Sequence, residues 1–227
     1  MSALAFRDRN ISRIFLVDDD PAIRGGYEDA IESLGVQTQD VELVSSLGSL
    51  LDMAGVNDGF VCDFHLNHST YSPVNGDVIV SNLYERKIPA ILCSRDAEAA
   101  HSVRGVRQSI PCILTARDFS PESVMRGFSE CIKEFSGEFS KGRRPWEALI
   151  RFESLISVSG DGARVLLAIP GWDSDTIFEV DVFKRDIPFF DKLVGVLKAG
   201  DIFRCMSRVN LGADEMKDIY IKDWMEL

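Results

Sequence analysis

No stretch of this sequence is apolar for the roughly 20 residues a bilayer-crossing helix needs. The first ten residues, MSALAFRDRN, carry charges where a secretory leader would need its apolar run. Both absences lead us to expect a cytoplasmic protein with no membrane contact. The five cysteines, Cys62, Cys93, Cys112, Cys131 and Cys205, are odd in number and show no CxxC spacing. A disulfide framework is therefore excluded, and the thiols read as reduced core residues. An excess of positive charge is missing as well: the chain carries −11 overall, with −9 in residues 1–140 and −5 in residues 145–227. Phosphate neutralisation needs the opposite balance, so nucleic acid is an unlikely partner.

What is present is enough to fold. Of 227 residues, 45% are hydrophobic, which suffices for a sizeable core in two domains. Along the first 135 residues, short β-rich runs alternate with amphipathic segments. RIFLV (13–17), GFVCD (59–63), PAILCS (89–94) and PCILT (111–115) are strand-like, with a weaker strand near Gln37–Val44. Between them, Ile23, Tyr27, Ile31 and Leu34 fall at helical intervals, as do Val78, Ile79, Leu83 and Tyr84. A short helix is expected near Leu47–Met53, and Ser120 with Pro121 opens a helix through PESVMRGFSECIKEF. This pattern predicts an α/β domain with a five-stranded, doubly wound parallel sheet.

Ligands of such sheets gather beyond the carboxyl ends of the strands, where the strand order reverses. Asp18 and Asp19 follow the first strand, Asp63 ends the third and Ser94 the fourth. Carboxylates converging on one rim repel unless a cation holds them, and hard oxygen ligands suit Mg2+. Asp20, directly before Pro21, is better placed to cap the first helix.

With Val17-Asp18-Asp19-Asp20-Pro21, Asp63 followed by Leu66, and Ile88-Pro89 leading to Ser94, residues 11–135 resemble a receiver domain of the two-component response-regulator family, which is flavodoxin-like. The resemblance implies that Asp63 accepts a phosphoryl group from a histidine kinase or phosphotransfer protein. It also implies that Asp18, Asp19, Asp63 and the backbone carbonyl of His65 hold Mg2+, and that Ser94 contacts the phosphoryl oxygens. The chain would then be a phosphoacceptor signalling protein, not an enzyme acting on a free substrate.

Three departures from the family pattern stand out. The family places a Lys-Pro pair after the fifth strand, whereas this sequence reads CILTARDFSPESV. Alignment on the helix start puts Arg117 at the lysine position, the alignment preferred here; alignment on the strand puts Thr115 there. The loop from Asp63 to Gly76 is long and contains His65, His68 and Tyr71, a histidine pair more readily explained as surface loop residues than as a metal site. Arg95 stands directly after Ser94, where the family prefers a small residue, and its bulk would slow turnover or leave a receiver that works without phosphorylation.

SGEFSKGRRP (136–145) reads as a linker. In residues 146–227, strand-like runs at 148–158, 164–169, 176–183, 201–211 and 218–227 enclose one helical segment, PFFDKLVGVLKAG. The order matches a small β-barrel of the OB-fold type, with an SH3-like barrel or an open sheet as alternatives. Its aromatics and negative charge favour core packing and an effector protein over single-stranded nucleic acid. No helix-turn-helix, cyclase or kinase motif is seen. A phosphorylation-independent scaffold is the rival reading, and a homodimer is left open.

Overall fold

A computed structural model describes residues 3–7, 9–67, 70–95 and 103–227. The chain divides into two compact units, Met1–Phe139 and Ser140–Leu227.

In the first unit a small hairpin, β1 (Leu4–Ala5) and β2 (Asn10–Ile11), precedes a sheet of β3 (Arg13–Val17), β4 (Gln37–Asp40), β5 (Asp58–Asp63), β6 (Ala90–Ser94) and β7 (Ile113–Thr115). The sheet is parallel throughout, in the order β4-β3-β5-β6-β7. Alternate residues of each central strand face opposite sides, and both sides are covered. Phe15, Val17, Phe60, Cys62 and Leu92 pack with Leu50 of α2 (Leu47–Met53) and with Ile79, Val80 and Leu83 of α3 (Gly76–Glu85). On the other face, Ile14, Leu16, Val61, Ile91, Cys93 and Leu114 pack with Tyr27 and Ile31 of α1 (Pro21–Ile31) and with Val124, Phe128 and Ile132 of α4 (Pro121–Phe135). The expected doubly wound sheet is what the chain forms. The weak second strand stops at Asp40, short of Val44, because Val41 and Val44 turn in to join the α2–α3 side of the core.

The helix ends follow local chemistry. Asp20 caps α1 by accepting from Ala22 N at 2.9 Å, with Pro21 at the first position. Ser120 and Ser123 form a capping box on α4. That helix ends in a Schellman turn: Gly137, at φ 83°, donates to Glu134 O, and Glu138 donates to Lys133 O. All five cysteines are buried, and none is in a disulfide.

The second unit is one antiparallel sheet, β10-β9-β8-β11-β12, built from β8 (Trp146–Ser159), β9 (Gly162–Ile169), β10 (Asp173–Phe183), β11 (Phe203–Val209) and β12 (Ile221–Glu226). The long β8 pairs with β11 through Trp146–Phe152 and with β9 through Arg151–Ser159, shifting register twice. Helix α5 (Phe190–Lys198) lays Leu193, Val194 and Leu197 into a core with Phe152, Phe178 and Phe203. A strand pairing between β10 and β12, which would close a barrel, is absent among the described residues. The OB-type barrel expected from the strand order is therefore seen only as an antiparallel sheet with one helix.

The stretch read as a linker is ordered on both sides of the unit boundary. Residues 136–138 finish α4, and residues 140–144 belong to the second unit, where buried Asn210 ties them down. Its Nδ2 donates to Gly142 O at 2.8 Å and Asp218 O at 2.9 Å, and its Oδ1 accepts from Tyr220 N at 2.8 Å. The Tyr220 hydroxyl donates to Arg143 O. An alanine at 210 would remove three hydrogen bonds to backbone, one buried and two part-buried, each worth about 1–3 kcal/mol where the group is left unpaired. Asn210→Ala should therefore destabilise the second unit by on the order of 3 kcal/mol, read as a lower urea midpoint for the tryptophan signal of the full chain.

Candidate functional site

The sheet register builds the site. Val17 is opposite Cys62, so the next residues, Asp18 and Asp63, leave adjacent strands at the same level. Asp63 lies opposite Cys93, and Ser94 opposite Thr115. The rim is the one where β4 and β5 flank β3 and the strand order reverses. Asp18, Asp63 and Ser94 are all buried, at 0%, 3% and 2% exposure.

Backbone contacts hold the carboxylates in place. Asp18 Oδ1 accepts from Asp20 N at 2.9 Å, and Asp63 Oδ2 accepts from His65 N at 2.9 Å. Asp18 Oδ2 is buried with no hydrogen-bond partner. Buried Arg24 clamps the rim from below, donating to Asp18 O at 2.5 Å and to Asp40 Oδ2 at 3.0 Å. Gly76 opens α3 against the end of β5, donating to Phe64 O at 3.0 Å. A Cβ at Gly76 would lie 1.9 Å from Asp63 O, so only glycine fits.

Burial sets the electrostatics. It is the main cause that pushes the Asp18 carboxyl up to about 6, aided by the neighbouring charges of Asp63 and Asp19 and opposed by Asp20 N–H and Arg95. Asp63 is also raised, again chiefly by burial, with His65 N–H and Arg95 pulling the other way. A cation beside these groups would relieve both, and the orphaned Asp18 Oδ2 is an oxygen ligand waiting for one. Among the described residues, however, no three His, Cys, Asp or Glu side chains gather as a metal site. The donor set fits Mg2+ in its usual manner, one or two carboxylates with the remaining positions left to water and phosphate oxygens. Asp18 and Asp63 would be those carboxylates. Asp19 is half-buried, and the side chain of His65 is exposed.

The two residues aligned with the cationic position, Arg117 and Thr115, are placed differently. Thr115 ends β7 in register with Ser94, and its hydroxyl donates to Asp118 Oδ2 at 2.6 Å. Arg117 lies two residues later, exposed in the turn that joins β7 to α4. The strand-end position is therefore taken by Thr115, because the extra residues form a turn and do not extend the strand. Arg95 is the arginine that, among the described residues, pairs with a rim carboxylate: its Nη2 lies 3.8 Å from Asp18 Oδ1.

The long loop after Asp63 is anchored by its apolar residues. Phe64, Leu66 and Tyr71 are buried, and the Tyr71 hydroxyl donates to Val41 O at 2.5 Å. Val44 N donates back to Tyr71 O. Of the histidine pair, His68 lies outside the described residues. The sequence reading missed Arg24; an arginine one helical turn after an acidic run is the signal that would have pointed to it.

No protein-family model matches this sequence, and no curated protein does. Solved structures do, and many of them are response-regulator receiver domains covering the N-terminal half, while the C-terminal unit is not identified. The receiver domain of Francisella response regulator 1452 is 18% identical, with 55% of this chain and 98% of that chain covered and a TM-score of 0.39. A CheY-like receiver domain from Methanospirillum hungatei JF-1 is 16% identical, over 56% of this chain and 98% of that one, with a TM-score of 0.42. A response regulator from Thermotoga maritima in complex with Mg2+ and BeF is 16% identical, over 52% and 99%, with a TM-score of 0.41.

Two outcomes follow from the rim. Gly76→Ala should cost about 3 kcal/mol, because the added Cβ meets fixed backbone, and chemical denaturation of the full chain measures it. The second concerns pH. A carboxyl that titrates near 6 when folded, against an ordinary value of 3.8, binds its proton more tightly in the folded state. Its contribution to stability therefore falls as pH rises through that window, by up to about 3 kcal/mol. In EDTA, Asp18→Asn should be more stable than the parent above pH 6 and lose that advantage by pH 4, as thermal melts across pH would show.

Proposed function

We propose that the first unit is the phosphoacceptor receiver of a two-component response regulator. The observation that carries this reading is the pairing of buried Asp18 and Asp63 at the switch point of the sheet, with one Asp18 oxygen unpartnered. In the reaction, an Asp63 carboxylate oxygen attacks phosphorus, the P–N bond of the donor phosphohistidine breaks, and the imidazole departs. The product is an acyl phosphate on Asp63.

A carboxylate is a weak nucleophile, so the site's work is alignment and charge cancellation. Mg2+, held by Asp18 and Asp63 with Asp19 and the His65 carbonyl nearby, would neutralise the phosphoryl oxygens. His65 N–H fixes one Asp63 oxygen at 2.9 Å, which leaves Oδ1 to attack. The close approach of Gly76 holds the acceptor's own backbone, and the buried Ser94 at the end of the next strand is placed to meet the phosphoryl group. The partners implied are a histidine kinase or phosphotransfer protein upstream and an effector protein engaged by the C-terminal sheet.

A second reading has one observation in its favour. Arg95 sits on Asp18 while Thr115 replaces a strand-end cation, an arrangement that also suits a receiver-like scaffold that docks to its partner without phosphorylation. Incubation with acetyl phosphate and Mg2+ decides between them. Intact-mass measurement should show one added phosphate, absent from Asp63→Asn and from samples in EDTA; an unmodified parent chain would establish the scaffold.

A further inference from the structure

Phosphorylation replaces the single charge of Asp63 with about −1.5 to −2 and adds acceptor oxygens. Beside Asp18, that charge needs more than a metal ion to balance it. The described cations near the rim are easily surveyed. Arg24 is buried and already shared between Asp18 O and Asp40. Arg13 is paired with Asp58, at the opposite end of β5 from Asp63. Arg117 is exposed in a turn, beyond a threonine whose hydroxyl is engaged with Asp118. His65, whose charge also acts on Asp63, has an exposed side chain, and Arg95 is the guanidinium paired with a rim carboxylate.

The geometry points to Arg95 as the phosphoryl-binding cation of this site, supplied from the end of β6 and not from the end of β7. The inference rests on Asp63 being the phosphoacceptor. Arg95 follows Ser94 directly, so it leaves the sheet at the rim next to the acceptor strand. Its contact with Asp18 is loose: 3.8 Å is beyond hydrogen-bonding distance, and the side chain is 55% exposed. Little is lost when it moves. A phosphoryl group offers the guanidinium two oxygens in the fork geometry it prefers, a stronger partner than a carboxylate at 3.8 Å. A metal ion held by Asp18 would compete with the guanidinium for that carboxylate and leave Arg95 available to the phosphoryl group, so the same residue would oppose the metal before transfer and hold the phosphoryl group after it.

That pair of roles gives effects of opposite sign, which loss of structure alone does not produce. Mg2+ binding and beryllofluoride binding in saturating Mg2+ are measured by calorimetry on the full chain. Arg95→Ala should bind Mg2+ several-fold more tightly and beryllofluoride at least tenfold more weakly, with Arg95→Lys between the two. Adding Thr115→Lys to Arg95→Ala should restore beryllofluoride binding by returning a cation to the neighbouring strand end. Unchanged beryllofluoride binding in Arg95→Ala, or an equal loss in Arg117→Ala alone, overturns the assignment while leaving Asp63 as acceptor. A parent chain that takes up neither beryllofluoride nor phosphate overturns both.

Discussion

Two carboxylates buried side by side at the ends of β3 and β5 are the constraint on which the rest of the first unit depends. Each would be more stable in water or protonated, and burial accordingly raises both. The protein keeps them in place with structure whose own stability comes from elsewhere. Apolar layers on both faces of the sheet fix the strand register, and the register alone puts Asp18 beside Asp63. Arg24 anchors the first carbonyl of the rim, and Gly76 lets α3 approach the second. A site kept under electrostatic stress in this way would gain most from a cation, which favours the charged form of both carboxylates.

Much of this was legible in the sequence because strand and helix periods differ so plainly. RIFLV and DGFVCD, apolar on both faces, could belong only to covered strands, and the doubly wound order then placed Asp18, Asp63 and Ser94 on one rim. Other features were not legible, for physical reasons. Whether Thr115 or Arg117 ends the fifth strand depends on a turn held by the Thr115–Asp118 hydrogen bond, a preference that apolar periodicity does not encode. The partnership of Arg24 with Asp40 and the packing of Tyr71 on Val41 are long-range contacts between loops and helix, invisible to any local pattern. The short β1–β2 hairpin has two residues on each side, too few for alternation to be detected.

In the second unit the strand order was readable, but closure was not, since closure depends on how far β8 bends at its two register shifts. The sheet carries charge along both outer strands: Asp173, Asp175, Glu179 and Asp181 on β10, and Lys222, Asp223 and Glu226 on β12. Charged edges discourage strand-to-strand association with other chains. Exposed apolar side chains are also present, among them Ile156 and Val158 on β8, Ile177 on β10 and Met225 on β12. Self-pairing through an edge is thereby disfavoured, and a protein partner would gain more from the apolar side chains of the sheet's surface than from its guarded backbone.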